Sequence, residues 1–338
     1  MVEVVTFGEV MMRLATPGFA RFAQAPYLEL SYGGGEANVA VSLANFGVGA
    51  AFVTRLPKND MADGAIAELR GLGVDTSHIV RGGSRMGLYF LESGASQRAS
   101  KVIYDRAHSA ISEIEVGSVD WPRVFQGARW FHWTGITPAL GDEPAAVVEE
   151  ACIAAKDAGL TVSADLNFRK KLWSRDKARR VMGSLMEYVD ICIANEEDAE
   201  SIFGIKGAEV NTGVIERETY VDVARQLTEQ FGFKQVAITL RESFSASRNG
   251  WSGMLYQDKQ AHFAQHYDIT IVDRVGGGDS FAAGLIYAAL QGYEAQRMVE
   301  WAVAASALKH TITGDYNRVT VEEVENLVKG DASGRVQR

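Results

Sequence analysis

Apolar residues recur along this chain in two rhythms: short strand-like runs, and longer stretches with apolar positions three or four apart. VEVVTFGEV opens with a Val-rich strand pattern bounded by Gly8. Between Leu14 and Tyr32 helical periodicity is missing, and RLATPGF and YLELSYGG read as strand pieces around a Pro-Gly turn. EANVAVSLANFG places Val39, Leu43 and Phe46 on one helical face and stops at Gly47. AAFVTRL predicts a strand, and MADGAIAELRGLGV a helix ending at Gly71 or Gly73. RMGLYFLESGASQRASKVIYDR reads as two strands around a Gly-Ser-rich hairpin. From Val119 onward the types alternate, with ARWFHWTG, TVSADLN, DICIAN and QVAITL as strands and PAAVVEEACIAAKDAG, KARRVMGSLMEYV and YVDVARQLTEQFG as helices. HFAQHYDITIVD adds further strand, and DSFAAGLIYAALQG and EAQRMVEWAVAASALKHT are two core helices. TVEEVENLVKG predicts a last helix, opened by a Thr cap with Glu three residues on.

Alternation along the whole length predicts an α/β fold, a doubly wound and mainly parallel sheet flanked by helices. The strand-rich interruptions at about 12–33 and 85–108 predict a small β-strand lid within the same domain. No repeat or low-complexity linker divides the chain, so 1–330 is expected as one domain and 331–338 as a frayed tail. Hydrophobic content of 47% and charged content of 23% over 338 residues are those of an ordinary globular protein. A net charge of −9 argues against nucleic acid and anionic membrane as partners. It leaves room for a small anionic substrate held by local arginines. Cys152 and Cys192 lie in apolar segments without CxxC spacing, which suits reduced core thiols, and the histidines show no metal-ligand spacing. With no leader pattern and no apolar run of about 18 residues, a cytoplasmic location is expected.

Two glycine clusters carry the candidate chemistry. In VDRVGGGDSF a strand runs into Gly276, Gly277 and Gly278, and a helix then begins near Asp279. Converging backbone N–H groups at a helix start suit a phosphate or a developing phosphoryl charge, and Asp279 beside them can accept a proton. A plain turn with an Asp helix cap is the competing reading. The loop is not a Walker sequence, because no GK[ST] follows, and it does not follow the first strand as a dinucleotide fingerprint would. In YGGGEANVAVSLANFG a second glycine run precedes a helix carrying Glu36 and Asn38 in its first turn, and Asn38 can bond hydroxyls. Two such clusters and a lid fit an enzyme that closes over two substrates.

The pair GGGEANVAVSLANFG and DRVGGGDSFAAG resembles the two signatures of the PfkB-type, ribokinase-like carbohydrate kinases, over nearly the full chain. Arg274 stands for the usual threonine and Gly277 for the usual alanine. YFLE, VIYDRAHSA and ADLNFRKKLW are most similar to the 2-keto-3-deoxygluconate kinases of that family. The resemblance implies a sugar-acid site with Gly34, Gly35, Asn38, Tyr89, Tyr104, Arg106, Arg169 and Asp315. Asp279 would take the proton of the 6-hydroxyl, and Gly276, Gly277 and Gly278 would receive the γ-phosphoryl group. On the nucleotide side it implies Asn167, Arg169, Asn195, Thr239 and Arg241 together with Gly276 and Gly278. TLRESFSASRNG replaces the Gly-rich turn that most relatives have there. In ANEEDAESIFG the family has N-x-x-E; here Asn195 is followed three places on by Asp198, so Asp198 and Glu197 are the candidates near Mg2+.

The implied cofactors are ATP and Mg2+, with a monovalent cation as a further candidate, and the implied partners are a small-molecule sugar acid and a second copy in a homo-oligomer whose lid strands pair. The residue chemistry agrees, since arginines bind a carboxylate bidentately and a neutral hexose gives no reason for two of them. Trp130, Phe131 and Trp133 are expected as packing. Competing readings are a family kinase for fructose, ribose or the galactonate epimer, a silent sugar-binding relative, and a nicotinamide-dependent dehydrogenase, which the missing fingerprint disfavours.

Overall fold

The computed structural model describes residues 1–206 and 217–331; the tail at 332–338 lies outside the described residues. Its main layer is a nine-stranded sheet. From one edge inward run Gln260–Phe263, Arg248–Gln257, Gln235–Ser243, Ile191–Ala194, Thr161–Asp165, Trp130–Thr134, Val4–Phe7 and Ala50–Val53, with Tyr267–Thr270 also paired to Arg248–Gln257. All pairings from Gln235–Ser243 to Ala50–Val53 are parallel, and those made by Arg248–Gln257 are antiparallel. The parallel strands are continuous apolar runs because helices cover both faces. One face packs Phe52, Leu43, Phe281 and Trp301, the other Phe7, Phe131, Trp133 and Met182.

Val4–Phe7 lies between Ala50–Val53 and Trp130–Thr134, so the chain leaves the first strand to one side and later builds on the other. Such a reversal opens a crevice at the carboxyl ends of the strands, where ligands bind in open α/β sheets.

A second sheet of four strands stands over that end, in the order Glu29–Gly33, Met11–Ala15, Leu88–Glu92 and Lys101–Asp105. These are the strands expected of the lid. Register puts Arg13, Tyr89 and Tyr104 in one cross-strand row, and Leu30, Leu14, Phe90 and Ile103 in the next, on the opposite face. Arg13 and Tyr89 are buried against the main body, whereas Leu30 and Ile103 are exposed.

Most predicted elements are present, including the last helix, Val321–Val328, with the capping box of Thr320 and Glu323. The strand Arg248–Gln257 (RNGWSGMLYQ) has no counterpart in the sequence reading, because its glycines look like a loop. At Gly253 the reason is close packing: a Cβ there would lie 2.8 Å from Val303 Cγ2 and 3.0 Å from Phe281 Cε2. The preceding strand runs on through Ser243, so Arg241 lies within an antiparallel pair rather than in a turn. Cys152 and Cys192 are buried and unbridged. Among the described residues no helix is long and apolar enough to cross a membrane.

Candidate active site

The loops at the carboxyl ends of the parallel strands, the glycine loop and the lid enclose a cavity of about 370 Å³. Gly34, Gly35, Asn38, Tyr89, Tyr104, Arg106, Asn167, Arg169, Asn195, Asp198, Thr239, Arg241, Gly276, Gly277, Gly278, Asp279 and Asp315 all line it. Glu197 instead lines an adjoining groove of about 1100 Å³, which Tyr104, Arg106, Arg169 and Asp198 share. Residues from eight separate stretches of sequence are thus brought together, and all but Glu197 reach a single space.

The helix Gly277–Leu290 begins at Gly276, whose φ of +82° favours glycine. A Cβ at Gly276 would run into the Asp315 carbonyl oxygen, and one at Gly277 into the His310 imidazole. At Gly278 a Cβ would meet nothing within 4 Å, so that residue faces open cavity. The first-turn N–H groups have no intrahelical partner and carry the positive end of the helix dipole. Asp279 stands in this turn. The depth of the site pushes its carboxyl up to about 6, against a hydrogen bond from Asn38 Nδ2 at 2.6 Å that lowers it. Asn38 Oδ1 accepts from Gly34 N at 3.3 Å, which aims the amide nitrogen at Asp279. Asn38, expected at substrate hydroxyls, therefore spends its amide on orienting the carboxylate.

Glu36 anchors the helix behind this pair. It is buried and accepts from Thr134 N at 3.1 Å, Thr134 Oγ1 at 2.8 Å and Thr137 Oγ1 at 3.0 Å. Burial still pushes its carboxyl up to about 7.

Asp198 accepts from Phe168 N at 3.1 Å and Asn195 Nδ2 at 2.9 Å, and burial raises it to about 7. Asp165, which the sequence reading did not single out, is raised well above its ordinary value by burial and then by the nearby Asp198 and Asp279 carboxylates. Of the two acids named for Mg2+, Asp198 is held in the cavity and Glu197 is exposed in the groove. Arg169 faces these acids, and among the described residues its side chain has no hydrogen bond or ion pair.

Arg106 is different, because the buried Glu9 carboxylate already ion-pairs with it, while its plane lies over Tyr104 at 5.4 Å. Arg13, also absent from the sequence-based site, donates to Asp273 at 2.5 Å and to Asp315 at 2.6 Å. Tyr89 donates its hydroxyl to the same Asp315 oxygen at 2.6 Å. Asp315 thus ties the lid to the glycine loop. Its position in TITGDYN was the sequence signal for it.

The sequence matches the pattern of the pfkB family carbohydrate kinases over residues 1–321. The chain belongs to that family. It is 32% identical over 334 residues to a 2-dehydro-3-deoxygalactonokinase of Haloferax volcanii, covering 98% of each chain. To a 2-dehydro-3-deoxygluconokinase of Thermoproteus tenax it is 28% identical over 336 residues, covering 97% of this chain and 95% of the relative. The crystal structure of a 2-dehydro-3-deoxygluconokinase from Thermotoga maritima superposes with a TM-score of 0.95 at 51% identity, covering 98% of this chain and 100% of that one.

The departures of this pfkB-family chain from the usual glycine signature have local causes. Gly277 stands where alanine is usual because the His310 ring fills the space of a Cβ. Arg274, in the threonine's place, donates to Ala246 O at 3.0 Å and so pins the glycine loop to the hairpin after Ser243.

Proposed function

We propose that this protein is an ATP- and Mg2+-dependent kinase that transfers the γ-phosphoryl group of ATP to the 6-hydroxyl of 2-dehydro-3-deoxy-D-gluconate, releasing ADP and the 6-phosphate. The observation that carries this reading is a single cavity holding an oriented Asp279 at the glycine-loop helix start and an Arg169 whose side chain, among the described residues, makes no hydrogen bond or ion pair. Relatives named for this activity match end to end, which supports the same reading.

The chemistry follows from position and charge. Ionised Asp279, held by Asn38, accepts the proton of the sugar hydroxyl as its oxygen attacks phosphorus. The N–H groups at Gly277 and Gly278 face the charge gathering on the transferred group, with Gly278 leaving room for it. Thr239 and Arg241 line the same cavity and would meet the nucleotide. Tyr89 and Tyr104 close it from the lid, which excludes water from the reacting groups. Asp198 and Asp165 are the carboxylates that would hold Mg2+: burial raises their proton affinity, a nearby cation would favour the ionised, acceptor-only form, and Mg2+ binds through one or two carboxylates plus phosphates and water. The bound ion would neutralise phosphate charge there.

Arg169 takes the sugar carboxylate, since Arg106 is committed to Glu9. Replacing it tests the substrate class. Arg169→Ala is expected to raise KM for 2-dehydro-3-deoxy-D-gluconate by about 10–100-fold, the worth of a charged hydrogen-bonded pair, with a much smaller change in KM for ATP. An unchanged sugar KM would place the carboxylate elsewhere.

A further inference from the structure

Lys309 has no exposed surface, yet it takes no part in the chemistry above. It ends the helix Ala295–Lys309, and its side chain runs back beneath the glycine loop. Its Cε lies 3.3 Å from where a Cβ at Gly276 would stand. The ammonium donates to Gly314 O at 2.7 Å and to Asp273 O at 3.3 Å. These carbonyls belong to the two segments that wall the loop: Asp273 leads into Gly276, and Gly314 leads into Asp315.

The same walls are joined elsewhere. Gly314 N donates to Asp273 Oδ2 at 3.1 Å, and the N–H groups of Val272 and Asp273 donate to His310 O at 2.8 and 3.2 Å. Arg13 bonds both Asp273 and Asp315. Two cations, Arg13 and Lys309, thus face two carboxylates, Asp273 and Asp315, with Asp279 further along. Burial lowers the proton affinity of the ammonium, and the three carboxylates oppose that.

Inward-pointing carbonyls away from water need a donor or a cation. A ring of carbonyl oxygens is also how proteins hold potassium. We propose that the Lys309 ammonium is a built-in cation, occupying a cage behind the glycine loop, walled by the Gly314 and Asp273 carbonyls, that a monovalent metal ion would otherwise fill, and positioning that loop. At 2.7 Å from Gly314 O it leaves no room for an ion between. The donor set therefore does not fit the monovalent cation expected from the sequence. Lys309 is a positioning residue: it fixes the backbone that presents Gly276 to Gly278, and its charge lowers the proton affinity of Asp279. The link to turnover rests on the kinase reading, whereas the cage itself does not.

The test is salt exchange at constant ionic strength, from tetramethylammonium chloride to potassium chloride. Wild-type kcat is expected to agree within about twofold, and the wild-type melting temperature should not rise specifically with potassium. A potassium-specific rise of about tenfold in kcat, or of several degrees in Tm, would overturn the proposal. Lys309→Ala vacates the cage, so its kcat should fall by about 10²-fold, and potassium or ethylammonium chloride should restore part of it and raise its Tm. A folded Lys309→Ala protein with full turnover, or one that neither salt changes, would also overturn it. If the variant does not fold, the wild-type comparison decides. Should the wild type phosphorylate no sugar, the kinase reading fails, and the melting comparison still judges the lysine.

Discussion

Asp279→Asn is expected to lower kcat by about 10²–10⁴-fold with little change in either KM, the range of a lost general base whose binding contacts persist. Asparagine keeps the shape and can still accept from Asn38 Nδ2, but it cannot take the proton of the attacking hydroxyl. Because the carboxyl titrates at about 6, wild-type kcat/KM should fall as pH drops through that value, and this limb should vanish in the variant. Stability should move the other way. A carboxyl raised from 3.8 to about 6 is protonated more readily in the folded state, so its ionisation costs stability as pH rises through that window. Asp279→Asn should therefore melt above the wild type at pH 7.5, and the gain should shrink as pH falls towards 4. A variant retaining near-full turnover would remove Asp279 from the chemistry.

Arg13→Leu has the largest expected effect on stability. The guanidinium is nearly solvent-free and bridges two buried carboxylates, Asp273 and Asp315. Its removal breaks both ion pairs, a change that costs about 3–5 kcal/mol for a broken buried pair. Urea unfolding should report that loss at pH 7.5 and a smaller one at pH 5, where Asp315, whose proton affinity burial raises, can protonate. Since Arg13 lies on a lid strand and Asp273 on the loop, sugar KM should rise as well. A loss below about 1 kcal/mol would mean that the bridge is worth no more than a surface pair.

The parts of the site that were legible in the sequence are those with local signals. Gly276 to Gly278 before an apolar helix, and Gly33 to Gly35 before another, mark strand-to-helix loops whatever surrounds them. The parallel sheet was legible because strand and helix patterns alternate along the chain, with strands such as ICIA at Ile191–Ala194 set between helices. Arg13 carried no such signal. Alone on a lid strand it resembles any strand-end charge, and its partners lie 260 and 302 residues away. Lys309 likewise looks like a basic residue in a last helical turn, where a surface lysine is common. Asn38 shows a further limit: the sequence can place a polar side chain near a ligand, but which neighbour takes its hydrogen bond depends on packing. Arg248–Gln257 was missed for the reverse reason, because glycines demanded by helix packing mimic a turn.

The reading as a sugar-acid kinase is tested most directly by coupled ADP release with Mg-ATP over 2-dehydro-3-deoxy-D-gluconate, its galactonate epimer, gluconate, fructose and ribose. Turnover confined to the keto-deoxy acids, with the gluconate form preferred, is the expected result. Comparable turnover on fructose or ribose would contradict a pocket in which Arg169 awaits a carboxylate.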